Sequence, residues 1–376
     1  MITSAFGYLF VIALLAAIVG TLEKRGIGKA LFDFLPAVVI LYILTMLLAQ
    51  IGLWRETPAI NAAYHHIKNW LLPALLFLML LPLDLRRFFT LGPSLLAAYA
   101  LALVSILFAF VAIFILFGFG PKEAGIFAAL AGSWTGGTAN MLAVAQALGV
   151  DPSSLGQALI VDAICYGVWV MFLLLLVPLA VHFARFSGAQ TTRTPATLGC
   201  SCTIGPKRYW LLLFAAFLAA LFCQWAAPRL PWLGTTTWSV LIATILGVVG
   251  SLTPLSRIGG AQEIANTMLL LLIALIGSRA DLSDISQAPT YVAAGFSILG
   301  VHALSMILGA KILKLDLFTI GVASLANIGG VASAPILAGA YDKRLVPVAV
   351  LMAVSGYLVG TIAGLGVGAL LLRIAG

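Results

Sequence analysis

The stretch AGSWTGGTANMLAV, residues 131–144, is the one on which the reading of this chain turns. It lies in a long apolar region, yet it carries Ser133, Thr135, Thr138 and Asn140 around the adjacent glycines Gly136 and Gly137. Glycine weakens a helix and reaches backbone conformations closed to other residues. A helix running into this segment is therefore expected to break where the chain should be most lipid-like.

The surroundings decide what such a break means. The chain has 376 residues, is 62% hydrophobic and only 9% charged, and has a mean hydropathy of +1.15. No water-soluble fold carries that balance. Apolar segments fall at roughly 3–22, 34–53, 69–83, 93–117, 124–149 and 153–182. A polar linker, 183–207, precedes six more at roughly 208–227, 236–252, 262–279, 290–314, 316–341 and 344–373. Most are long enough to cross a hydrocarbon layer about 30 Å thick. The expectation is an all-α polytopic membrane protein, with nothing left for a soluble domain. The net charge of +8 does not point to nucleic acid, because the basic residues sit in short loops, where they act as topology signals. Segment 3–22 has its basic flank, Lys24-Arg25, after it rather than before it, so it reads as a retained span and not as a secretory signal. Cys200 and Cys202 share the polar linker, but two further ligands for a metal are missing there.

The two sets of six resemble each other. Gly136-Gly137-x-Ala139 matches Gly329-Gly330-x-Ala332 at an offset of 193, and the same offset pairs Gly167 with Gly360. Asp84-Leu85 and Pro93 find counterparts in Asp281-Leu282 and Pro289 at offsets of 197 and 196. Matches in a common order indicate an internal repeat, 1–182 and 208–376, a usual architecture of secondary transporters. If all twelve segments cross, the twenty Lys and Arg residues divide nine to eleven between the two sides. If 124–149 and 316–341 instead dip in and return, they divide fourteen to six, the asymmetry expected of short loops. Each half then has five crossings and one re-entrant hairpin. Five being odd, the halves are inverted, the hairpins enter from opposite sides, and both termini lie outside. Twelve continuous spans are the alternative.

The hairpin tips are the candidate site. Non-helical backbone at that depth is tolerated only inside protein or along a wet cavity. The first tip offers Ser133, Thr135, Gly136, Gly137, Thr138 and Asn140. The second offers Ser324, Asn327, Gly329, Gly330 and Ser333, with Pro335 near the start of the returning arm. Free N–H groups opening each returning arm suit a carboxylate, and carbonyls ending each entering arm suit a cation such as Na⁺. The alternative is that the glycines are packing surfaces and the small polar residues interhelical glue. That reading fits the stripe Gly356, Gly360, Gly364 and Gly368 better than a ligand site does.

Asp162 lies among Ile160, Val161, Ala163 and Ile164, within span 153–182. An intramembrane carboxylate is costly, which makes it a candidate for coupling to Na⁺ or H⁺; a hydrogen-bonded Asp joining two helices is the alternative. His302 reads as a packed histidine, His65-His66 as an interfacial loop with Lys68 and Trp70, and Arg279 as either a partner for an anionic solute or a snorkelling side chain.

The paired motifs G-S-W-T-G-G-T-A-N-M and S-L-A-N-I-G-G-V-A-S-A-P resemble those of the YjcL-like family of bacterial integral membrane proteins, over nearly the whole chain. More distantly, the glycine pairs are similar to those of the sodium symporters for glutamate and citrate. That resemblance implies inverted repeats of five spans, re-entrant glycine hairpins and a transport domain that moves as an elevator. It also implies a homodimer, and a bacterial inner membrane as the location.

The function expected is a secondary active transporter for a small anionic or zwitterionic solute. No ATP-binding loop is present, so any energy comes from an ion gradient or the solute itself. A channel would need a continuous polar lining. An intramembrane enzyme would need a nucleophile such as Ser133 beside His182 or His302, and neither a G-x-S-x-G elbow nor an H-E-x-x-H motif occurs. No enzyme activity, metal or organic cofactor is expected, and the partners expected are the solute and the bilayer.

Overall fold

A computed structural model describes residues 1–28, 31–32, 36–83, 91–189, 205–231, 234–280, 287–342 and 345–376. The matches at Asp84-Leu85 and Asp281-Leu282, the pair Cys200 and Cys202, and six of the basic residues counted above lie outside them. The described residues form α1 (Ala5–Arg25), α2 (Ala37–Gln50), α3 (Pro58–Leu80), α4 (Pro93–Phe117), α5 (Pro121–Gly136), α6 (Thr138–Leu148), α7 (Pro152–Leu175) and α8 (Ala180–Ser187). They continue with α9 (Pro206–Ala226), α10 (Thr235–Ser251), α11 (Ala261–Gly277), α12 (Ala288–Leu313), α13 (Leu317–Ile328), α14 (Gly330–Tyr341) and α15 (Val346–Ala375).

Among the described residues six helices are long and apolar enough to cross a membrane: α1, α4, α7, α9 with its 3₁₀ extension to Arg229, α12 and α15. Their surfaces suit that solvent. On α1 the exposed residues Phe6, Phe10, Leu14 and Ile18 recur every fourth position, while Tyr8, Ile12, Ala16 and Val19 are buried. One face packs and the other presents an apolar stripe of the kind lipid accepts.

Three boundaries differ from the sequence reading. The segment placed at 69–83 is part of a helix that starts eleven residues earlier, at Pro58. Thr57 caps it, its side chain accepting from the Ile60 N–H at 3.2 Å, with proline at the first helical position. His65 and His66 are therefore on a helix and not in a loop. The segment placed at 153–182 ends as a helix at Leu175; Pro178 sits in a 3₁₀ turn, and α8 carries the chain to Ser187. The linker placed at 183–207 thus begins within α8 and ends within α9, and residues 190–204 of it lie outside the described residues. The first of the two glycine segments is longer on its entering arm than 124–149 implies, since α5 begins at Pro121 and stays helical to Gly136; Pro335 lies inside α14, five residues after Gly330.

Both glycine segments reverse the chain. Gly137 breaks the first at φ 88° and ψ 174°, a conformation open only to glycine. A Cβ on Gly132 would meet Val144 at 3.0 Å, and one on Gly125 would meet Val150 at 3.0 Å, so α5 and α6 lie antiparallel. In the second, a Cβ on Gly321 would meet Leu337 at 3.1 Å, and the rings of Phe318 and Tyr341 are 5.3 Å apart, so α13 and α14 also fold back.

The helices pack as two clusters, each drawn from both halves of the chain. In one, α3 packs on α9, α10 and α11, while α1 and α2 pack on α11. In the other, α4 packs on α12 and α13, and α15 packs on α5, α6, α13 and α14. Contacts of α10 with α6 and α15, and of α2 and α11 with α7, join the clusters. The closest approach is between α5 and α15. A Cβ on Gly360 would lie 2.6 Å from Gly136 Cα, and one on Gly364 would lie 2.9 Å from Gly132 Cα. On Gly368 it would lie 3.0 Å from Ala128 Cβ. The glycines of α15 thus let two backbones touch.

This contact makes a prediction with its own control. Gly360→Ala forces a methyl group into backbone and should destabilise the protein by about 1–3 kcal/mol. Gly366→Ala, on the same helix with nothing within 4 Å, should leave it unchanged. Thermal unfolding of the two variants in detergent measures the difference.

Candidate functional site

The first tip is built so that its polar groups are used close to home. The Thr135 hydroxyl donates back to the Ala131 carbonyl at 2.7 Å, closing the last turn of α5. Asn140 Nδ2 donates to the Gly136 carbonyl at 2.7 Å, and Asn140 Oδ1 accepts from the Thr361 hydroxyl at 2.7 Å. Asn140 therefore clamps both sides of the break and fastens them to α15. Gly136 is enclosed as well, since a Cβ there would meet the Gly356 carbonyl at 2.6 Å and Gly360 Cα at 2.8 Å.

Ser133 and Trp134 reach the other way. The Ser133 hydroxyl donates to Asp162 Oδ2 at 3.0 Å and Trp134 Nε1 donates to Asp162 Oδ1 at 2.8 Å, so each carboxylate oxygen has a donor from the tip. Trp134 is wholly buried, edge-on to Phe110 at 5.5 Å between centroids. It holds the tip by its ring on one side and its N–H on the other.

The second tip meets the same helix one turn on. Gly329 lies against the ring of Tyr166 and against Ser333. The Ser333 hydroxyl is buried beside the Tyr166 phenol. Asn327 Nδ2 donates to the Ala323 carbonyl at 2.9 Å, and its Oδ1 is buried without a partner. Higher on the entering arm the Ser324 hydroxyl accepts from Trp169 Nε1 at 2.9 Å and is 2.9 Å from His302 Nε2, whose Nδ1 is 2.7 Å from the Ser105 hydroxyl. Ser133, Thr135, Asn140, Asn327 and Ser333 are all buried; Gly137 and Thr138 are partly exposed, and Gly330 starts α14 at φ 59°.

The tips therefore meet on two helices. On α7, Asp162 takes the first and Tyr166 the second, about one helical turn apart. On α15, a Cβ on Gly356 would meet the Thr135 carbonyl oxygen at 3.0 Å and that of Ala326 at 3.4 Å. Those carbonyls end α5 and approach the end of α13, where the last carbonyls of a helix have no partner within it and carry negative partial charge. The first N–H groups of α6 and α14 open at the same breaks. The carbonyl ends of α5 and α13 thus come together at Gly356, while the two tips reach α7 about one turn apart.

Sequence reading missed Tyr166, Trp169 and Thr361. Asp162, Tyr166 and Trp169 follow the spacing i, i+4, i+7, which puts them on one face of α7, and that spacing was the signal that could have found them. It also shows where the candidate dyad stands: Ser133 is bonded to Asp162, and His302 to Ser105 and Ser324.

Fold and site together define a class: a membrane-embedded helical bundle in which two broken helices bring their tips against one polar helix face. The chain belongs to the family described as "Protein of unknown function (DUF819)", which matches it over residues 9–201 and 210–374. No curated protein matches it.

The bonds to Asp162 can be tested as a pair. Trp134→Phe removes one donor from a buried carboxylate and should cost about 1.5–3 kcal/mol. In an Asp162→Asn background the same change should cost clearly less, because the ion it serves is gone. A double-mutant cycle on thermal unfolding gives the coupling.

Proposed function

We propose that the protein is a secondary active transporter for a small anionic or zwitterionic solute, coupled to Na⁺ or H⁺ through Asp162. The observation that carries this reading is the meeting of two broken-helix tips on one face of α7, with Asp162 touching the first and Tyr166 the second. Broken helices at the middle of a bilayer are the usual device by which carriers offer helix ends to a solute and its ion. Here N–H groups opening α6 and α14 receive the anionic group of the solute. The Thr135 and Ala326 carbonyls, close to Gly356, together with the free Asn327 Oδ1, receive the cation.

In this reading α5–α6 and α13–α14 are re-entrant hairpins from opposite sides, the halves 1–182 and 208–376 are inverted repeats, and both termini are outside. The cluster holding the hairpins moves against the cluster built on α3, as an elevator. The likeness of the glycine pairs to those of the glutamate and citrate symporters is in keeping with it, as is the resemblance to the YjcL-like group. The placing in a bacterial inner membrane and the homodimer come from the same likeness.

Single cysteines at Lys122 and Asp151, in a background free of the native cysteines, test re-entry. Both should react with an impermeant maleimide from the same face of sealed vesicles; labelling from opposite faces would mean that 124–149 crosses. For the coupling, a thermal-shift screen of amino acids, carboxylates and small peptides, with and without Na⁺ and at two pH values, finds the solute by mass action. In proteoliposomes Asp162→Asn should lower its uptake at least tenfold and remove the dependence on the ion. Uptake that keeps its ion dependence in this variant excludes Asp162.

A further inference from the structure

The two helix clusters leave a polar pocket of about 480 Å³ at their seam, on the side where the first hairpin opens. Tyr64, His65 and Lys68 of α3 line one wall, Gln146 and Asp151 line the other, and Arg279 closes the end beyond α11. The Arg279 side chain is only 10% exposed. Its Nη1 donates to Glu56 Oε1 at 2.8 Å, whereas the Glu56 side chain is 67% exposed. Nε and Nη2 are buried and complete no hydrogen bond. The Tyr8 hydroxyl, bonded to Ser278 Oγ at 2.6 Å, also lies close enough to interact with Arg279. Arg279 Cζ lies 5.0 Å from the centre of the Tyr64 ring, and Lys68 Nζ lies 5.3 Å from it. Two cations thus flank one aromatic ring.

A guanidinium is a planar fork that matches a carboxylate with two parallel bonds. Here one prong is used, by an acid on the rim, and Nε and Nη2 are buried without a well-formed hydrogen bond, an arrangement that costs free energy until a better acceptor arrives. Asp151, the other acid on the wall, is engaged elsewhere. Its Oδ1 accepts from the Ser154 N–H at 2.9 Å, capping α7. Burial works against its charge, but the Ser154 hydroxyl and the N–H groups of Ser154 and Ser153 outweigh it and hold its pKa below the ordinary value. That Glu56 already sits on Arg279 shows which group the fork accepts.

We propose that this pocket is a binding site for a small organic carboxylate, which takes Arg279 from Glu56 and has Lys68 as its second cation. The volume suits a small acid. The site is separate from the hairpin tips, and the inference holds whether or not the chain moves its ligand.

The test is calorimetric titration of the full-length protein, in discs of neutral phosphatidylcholine, with succinate, its uncharged diamide and inorganic phosphate. Succinate should bind saturably and at least tenfold more tightly than the diamide. Glu56→Gln, which removes the competing acid, should tighten succinate at least threefold. Lys68→Gln and Arg279→Gln should each weaken it at least fivefold, and Gly366→Ala, which has nothing within 4 Å, should leave it unchanged. Should Arg279→Gln fail to fold, the opposite effects of Glu56→Gln and Lys68→Gln decide. The proposal is overturned by absence of saturable succinate binding in Glu56→Gln, or by binding that both Lys68→Gln and Arg279→Gln leave unchanged. Phosphate binding more tightly than succinate, the mark of a headgroup site, overturns it too.

Discussion

The contact between Gly136 and the glycines of α15 is the constraint from which the rest of this structure follows. Lipid gives two apolar helices little reason to associate, so close packing of their backbones has to hold them. Gly132 and Gly136 on α5 face Gly364, Gly360 and Gly356 on α15, and at this separation no side chain fits between them. The approach fixes where α5 ends. It brings the Thr135 carbonyl to Gly356, where that of Ala326 also arrives, and it puts Asn140 within reach of Thr361. Backbone packing, rather than interlocking side chains, thus holds these helix ends in place.

The polar groups around the tips obey the rule for buried polarity unevenly. The first tip is satisfied almost throughout: Ser133, Trp134, Thr135 and Asn140 all have partners. The second keeps an open position, Asn327 Oδ1. Buried polar atoms without partners are uncommon and costly. The asymmetry separates a tip that is locked in this conformation from one that retains capacity for another donor, although their glycine motifs look alike.

Much of this was legible in the sequence, and the remainder was hidden for a physical reason. Gly136-Gly137 and Gly329-Gly330 announced the breaks because glycine acts on the backbone locally. Asp162 stood out because a carboxylate among isoleucines and valines has few explanations, and the four-residue spacing from Gly356 to Gly368 marked a packing face. Partners across helices were another matter. In a soluble protein one polar face fixes how a helix is turned, but a helix apolar all round has no such phase. Nothing in the sequence told Trp134 to point at Asp162, or Trp169 at Ser324. The boundaries misjudged at Pro58 and Leu175 were likewise turns of helix that hydropathy alone could not divide, and the caps and prolines that set them act through geometry.

The interleaving of the two halves bears on how the protein is made. α3 finds its neighbours in α9, α10 and α11, and α5 finds its closest in α15, the last helix of the chain. A helix emerging early from the ribosome must therefore wait in the bilayer for partners far along the sequence, and contacts of that range form slowly. Until α15 arrives, the Gly132–Gly136 face has no backbone to close upon, and Asn140 Oδ1 lacks the Thr361 hydroxyl. A protein of this design depends on α15 for its assembly, and losing that helix would leave the first hairpin without the partner it packs on most closely.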